Sequence, residues 1–203
     1  MAKSRGVRAM EIVVATRNPG KLREFRTLLA PAGWQAIEPF EAGIEGEIAE
    51  TGNSFAENAR LKALGYSART DLPVLGDDSG LEVFALGGKP GVRSARYAGA
   101  DASDSDRVHK LLQELELHTE NREARFLCAL ALAQHGEVLC ETEGECRGEI
   151  AAAPRGALGF GYDPIFLVPG LGLTFAEIEE AEKNRISHRA RAVAALLAKT
   201  GTR

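Results

Sequence analysis

Four short segments of this chain carry more acid, base and glycine than a purely structural role requires. Thr16-Arg17-Asn18-Pro19-Gly20-Lys21 separates an apolar run from a helical pattern. Amide groups at a helix start, with a lysine beside them, cradle phosphate. The Walker A spacing is absent, and Asn-Pro-Gly is turn chemistry in its own right. Gly76-Asp77-Asp78-Ser79-Gly80 places two adjacent carboxylates between glycines at a predicted strand end. Mg²⁺ takes such oxygens together with substrate phosphates, and alternation along an extended chain sends only one of the pair into a cleft. A solvated turn accounts for the same residues. Glu50 is a candidate second carboxylate, in a stretch that also holds Glu41, Glu45 and Glu47. Gly159-Phe160-Gly161-Tyr162-Asp163-Pro164 offers a ring to lie on a flat ligand and a carboxylate to accept from a base edge, or else a glycine-rich turn with core aromatics. In Glu182-Lys183-Asn184-Arg185-Ile186-Ser187-His188-Arg189, an N-cap at Ser187 puts His188 and Arg189 in a first helical turn. Cations there oppose the helix dipole unless an anion sits nearby.

Other chemistries fare poorly. There is no GxSxG elbow and no HExxH motif, and the histidines at 109, 118, 135 and 188 show no ligand spacing. Cys128, Cys140 and Cys146 lack the close pairing of a zinc site and fit a reduced, cytoplasmic setting, with Cys128 as a small core residue. The net charge of −4 argues against a duplex nucleic-acid partner. No apolar run approaches the roughly 18 residues needed to cross a bilayer, and the N-terminus has no signal-peptide core.

The elements that must position these segments are those of one mixed α/β unit over 10–203, preceded by a flexible lead-in at 1–9. At 203 residues, 44% hydrophobic and 27% charged, the chain suits one large globular domain. MEIVVA at 10–15 reads as a buried strand, followed by a helix carrying Leu22, Phe25, Leu28 and Leu29. Residues 54–69 form a helix capped by Ser54. PVLG at 73–76 and LEVF at 81–84 read as two short strands separated by DDSG. A helix from Ser103 buries Val108, Leu111, Leu112 and Leu115. The stretches 124–133 and 137–146 read as strands joined across Gln134-His135-Gly136, although alanine and leucine give the first some helical propensity. PIFLV at 164–168 reads as a strand, Thr174 with Glu177 as a capping box opening a helix, and Ser187 as the cap of a last helix with Val193, Leu196 and Leu197.

Taken in order, these segments closely resemble the inosine/xanthosine triphosphate pyrophosphatase (Ham1-like) family. The matching stretches are ATRNPGKLREF at 15–25, ETGNSFAENARLKA at 50–63, GDDSGLEV at 76–83, LGGKPGVRSARYAG at 86–99, GFGYDPIF at 159–166 and EKNRISHRARA at 182–192. The resemblance implies a long, twisted mixed sheet flanked by helices, two lobes with a nucleotide cleft between them, and a homodimer. It implies hydrolysis of ITP, dITP and XTP to the monophosphate and pyrophosphate, with Mg²⁺. By position, Thr16 to Lys21 are similar to the triphosphate loop, Glu50 and Asp78 to the metal carboxylates, and Asp78 also to the proton acceptor. Ser79 matches a substrate-binding position, and Phe160, Gly161, Tyr162 and Asp163 a base platform with Phe160 stacking. Lys183, His188 and Arg189 match nucleotide-recognising positions, and Lys62 a lysine near the phosphates. Leu158 stands where many relatives have glycine, and Arg17 and Pro19 fill variable positions.

On this reading Arg189 or a protonated His188 donates to the 6-oxo group, where adenine presents a donor instead. Two rivals are a non-catalytic nucleotide sensor and a diphosphatase for another modified nucleotide, such as a pyrimidine triphosphate.

Overall fold

The computed structural model describes residues 10–118 and 121–201, so the lead-in expected at 1–9 lies outside the described residues. β1 (Met10–Ala15) lies between two parallel neighbours, β2 (Trp34–Ile37) and β3 (Val74–Val83). With both sheet faces covered, Ile12, Val13, Val14 and Ala15 are all buried. β3 then pairs antiparallel with β5 (Glu123–Gln134), and β5 with β6 (Glu137–Ile150). The turn between the last two strands is His135-Gly136, both with positive φ, the geometry a tight hairpin requires. β7 (Phe166–Leu167) pairs with β6, and the short β4 (Lys89–Pro90) pairs with β3. The result is a mixed seven-stranded sheet of order β2-β1-β3-β5-β6-β7.

Helices cover both faces. α1 (Pro19–Leu29) and α5 (His188–Thr200) bury Leu22, Phe25, Leu29, Val193 and Leu196 against Ile12, Leu75, Cys128 and Leu130. On the other side α2 (Phe55–Ser67) sets Phe55, Ala59 and Ala63 on the alanines of β5. Toward the far ends of β3, β5 and β6 a separate core forms around α3 (Asp104–Leu115), with Leu81, Val83, Phe126, Ile150, Phe166 and Phe175. Asp77 to Gly80 lie on the stretch of β3 between these two lobes. No helix among the described residues is long and apolar enough to cross a membrane.

The structure corrects four readings. GDDSG is not a turn at a strand end: β3 runs unbroken from Val74 to Val83 and each of its residues pairs with β5. Its glycines serve close packing. A Cβ at Gly76 would stand 2.0 Å from the Ala59 carbonyl oxygen of α2, and one at Gly80 would stand 2.3 Å from Ser94 Oγ. We expect Gly76→Ala to lower stability by about 1–3 kcal/mol through this overpacking, measured as a shift in urea midpoint. PIFLV begins inside a 3-10 turn (Asp163–Ile165) and leaves only a two-residue strand, because Asp163-Pro164 sets the backbone for a turn. The Thr174–Glu177 capping box forms but closes only a three-residue 3-10 turn, and α4 (Glu180–Ile186) starts separately. Leu112 is partly rather than fully buried.

Candidate active site

Two adjoining cavities meet along Asn18, Lys21, Ser79 and Ala95. The wider, about 600 Å³, is lined by Thr16, Arg17, Asn18, Lys21, Glu50, Lys62, Asp78, Ser79 and Arg96. The narrower, about 90 Å³, is a slot whose walls include Phe126, Phe160, Gly161, Tyr162, Asp163, Lys183, His188 and Arg189. All the expected positions line one or both cavities except Pro19 and Gly20. Pro19 opens α1, where its missing N–H costs nothing. Gly20 gives the Phe160 ring room, since a Cβ there would lie 2.6 Å from it.

The phosphate-side residues are built from the strand–helix junction. Asn18 caps α1 by accepting from the Lys21 N–H at 3.0 Å, and Thr16 Oγ1 accepts from the Asn18 N–H at 3.2 Å. Lys21 sends its Nζ across to Asp77 at 2.6 Å, and Lys62 reaches Glu50 at 2.7 Å. Arg17 pairs with Glu47. Strand alternation separates the two aspartates as expected. Asp77 is fully buried, with the Cys128 thiol donating to it at 3.3 Å, whereas Asp78 lines the wide cavity and accepts from Asn58 Nδ2 at 2.9 Å. Burial alone would raise the Asp77 pKa, but Lys21, Arg189 and Lys62 hold it well below the carboxylate range. For Asp78 burial prevails over Lys62, Lys21 and the Asn58 amide, and its pKa is raised. The two neighbours thus differ in basicity as well as direction.

The slot departs from expectation in three ways. The anion answering His188 and Arg189 at the start of α5 is internal. Glu24 of α1, 2% exposed, pairs with Arg189 and, at 2.9 Å, with Lys183. Asp163 does not present a free carboxylate to a base edge: it accepts from Lys183 at 2.5 Å and from the Phe160 N–H at 2.9 Å. Gly159, at φ +75°, permits that loop, since a Cβ there would strike the same carboxylate. His188 is neutral rather than protonated. Burial, then Arg189 and Lys183, drive its pKa well below 6.5 while its ring stacks on Phe126 at 4.8 Å. Tyr162 faces the core and donates to the Ser94 carbonyl at 3.0 Å, bracing the wall. Phe160 stays partly exposed, with Lys183 Nζ 4.8 Å from its ring centre. Among the described residues Arg189 Nε and His188 Nδ1 are buried without a partner, so hydrogen-bonding capacity remains beside the slot.

Residues 12–199 match the Ham1 family. The chain belongs to the Ham1 family. It is 52% identical over 187 residues to a dITP/XTP pyrophosphatase of Geobacillus kaustophilus, covering 92% of each chain. It is 56% identical over 188 residues to a protein of the same description from Gloeobacter violaceus, again covering 92% of each. The solved structure of a HAM1 protein from Coxiella burnetii superposes with a TM-score of 0.85 at 43% identity, covering 95% of this chain and 98% of that one.

Within this Ham1-family site, sequence reasoning missed Glu24, Asn58 and Arg96. Glu24 and Asn58 lie on the inward lines of their helices, Glu24 four residues before Leu28 and Asn58 between Phe55 and Lys62. A polar residue on a buried stripe is the signal that could have found them. Arg96 ends the 3-10 segment Gly91–Arg96 and stands 3.8 Å from Glu50.

Proposed function

We propose that this chain hydrolyses non-canonical purine nucleoside triphosphates, dITP, ITP and XTP, to the monophosphate and pyrophosphate. The observation that carries the reading is the junction at Ser79. An aromatic-walled slot opens there onto a cavity lined by the carboxylates of Glu47, Glu50 and Asp78 and by several cations. The relatives' shared description as dITP/XTP pyrophosphatases supports the substrate class.

Glu50 and Asp78 fit Mg²⁺. Both are oxygen donors lining the same cavity, and Asp78 retains lone pairs beyond those used by Asn58 and the Ser79 N–H. Among the described residues no three His, Cys, Asp or Glu side chains gather into a complete cage. Mg²⁺ in nucleotide sites is held by one or two carboxylates together with substrate phosphates. When bound, the ion neutralises charge across the triphosphate.

The chain's own groups then divide the work. Asp78 accepts the proton of a water attacking the α-phosphorus, and the bond to the bridging oxygen of pyrophosphate breaks. Lys21 and Lys62 face the charge that develops on the departing group. Phe160 stacks on the base. Arg189, Lys183 and neutral His188 line the slot where a 6-oxo group would be read. An adenine amino group at that place would confront the two cations, leaving buried donors unpaired. A homodimer belongs to the same reading, and sedimentation equilibrium checks it.

Pyrophosphate release from ITP, XTP, GTP, ATP and dTTP, with Mg²⁺ and with chelator, tests the activity. Metal-dependent release concentrated on ITP and XTP is expected. Release from dTTP alone would overturn the base reading, and tight binding without release would make the protein a sensor.

A further inference from the structure

We infer that Asn58 is a positioning residue that fixes the spacing between Asp78 and Glu50. The inference rests on the reading that these two acids hold Mg²⁺.

Asn58 lies in the first turns of α2 and is 1% exposed. Its Nδ2 donates to Asp78 Oδ2 at 2.9 Å, and its Oδ1 accepts from the Gly52 N–H at 2.8 Å. Gly52 belongs to the segment that carries Glu50. One amide therefore binds one carboxylate directly and the backbone two residues beyond the other. Both bonds are needed, because a buried amide group left unpaired is costly. An apolar or carboxylate side chain could not join an acceptor on one side to a donor on the other.

The surroundings make this amide a strut. Gly76 lets α2 sit on β3 without a gap, with the Ala59 carbonyl against it, close to Asp78 along the strand. Gly52 lies so near the first turn of α2 that a Cβ there would come within 2.6 Å of Glu57 Cβ. Glu57 accepts from the Asn53 N–H at 2.6 Å, and Ser54 Oγ accepts from the Glu57 N–H at 3.2 Å. The loop carrying Glu50 is thus fastened to α2, α2 is seated on β3, and Asn58 closes the frame at the carboxylate itself. Outer hydrogen bonds of this kind orient acidic ligands, and their loss typically weakens metal binding about 10- to 100-fold.

Asn58→Ala removes the amide, and Asn58→Leu removes it while keeping its volume. Three readouts apply to each: titration of MgCl₂ into the nucleotide-free protein, the Mg²⁺ dependence of ITP turnover, and melting in EDTA. We expect the Mg²⁺ constants to rise about 10-fold or more in both variants. At saturating Mg²⁺ the KM for ITP should move little, and both variants should melt lower than the unmodified protein, the Leu variant by less because it keeps the volume. Unchanged Mg²⁺ constants, with or without a fall in melting temperature, would overturn the inference and leave Asn58 a purely structural role. If the unmodified protein itself shows neither Mg²⁺ binding nor Mg²⁺-dependent turnover, the metal reading fails and the inference falls with it.

Discussion

Replacing Asp78 by Asn is expected to lower kcat/KM for ITP by about 100- to 10,000-fold, the range spanned by positioned proton acceptors, while leaving the fold intact. The two halves of that expectation have separate physical grounds. Turnover falls because an amide takes up no proton and is a weaker ligand for a hard cation. The fold persists because Asp78 contributes to β3 through its backbone, paired with Ala129, and the isosteric amide can still accept from Asn58 Nδ2. Steady-state kinetics and a thermal melt on the same preparation check both. Near-normal turnover would remove Asp78 from the reaction, and loss of the melting transition would show the residue to be structural.

The largest effect on stability is expected at Glu24, where exchange for Gln should cost about 3–5 kcal/mol, as when one partner of a buried ion pair is removed. Glu24 is enclosed with Lys183 and Arg189, and its loss leaves two buried cations sharing less negative charge. Asp163 still answers Lys183, so the slot should keep its outline while Arg189 loses its direct ion-pair partner. The pH dependence has a definite sign. Burial alone would raise the Glu24 pKa, but Arg189 and Lys183 bring it below 4.5. A group depressed in the folded state contributes stability above its unfolded pKa and loses it as pH falls through the folded one. The gap between the native protein and Glu24→Gln should therefore be full at neutral pH and close on acidification below about pH 4.5. Urea unfolding at several pH values measures it, and a gap that stays constant down to strong acid would contradict the assignment.

Much of this architecture was legible in the sequence wherever the signal was local. MEIVVA, the Ser54, Ser103 and Ser187 caps, and the His135-Gly136 hairpin all appear where side-chain period and capping chemistry place them. The reading failed where distant packing overrode local preference. Gly-Asp-Asp-Ser-Gly has a turn composition, yet it is strand because β5 pairs with it throughout, and its glycines are there because α2 and Ser94 approach too closely for a side chain. Glu24 escaped notice for a related reason: Arg189, which explains its burial, lies 165 residues away in the chain. The unfavourable charge at the start of α5 was detected, but its answer was sought in a ligand and stands on α1.

The unbroken pairing of β3 with β5 also acts as a reading frame. Asp77 and Asp78 differ by one position, and that position decides whether a carboxylate neutralises Lys21 in the interior or faces the cavity. A slip of one residue would exchange their duties and invert every side chain along the strand. The run of paired residues from Val74–Ala133 to Val83–Ala124 holds the frame over the whole strand. The alternating leucine and alanine of β5, paired directly across from both aspartates, thus keep the two acids from trading places, and a single-residue deletion within 124–133 should silence the enzyme as surely as loss of Asp78.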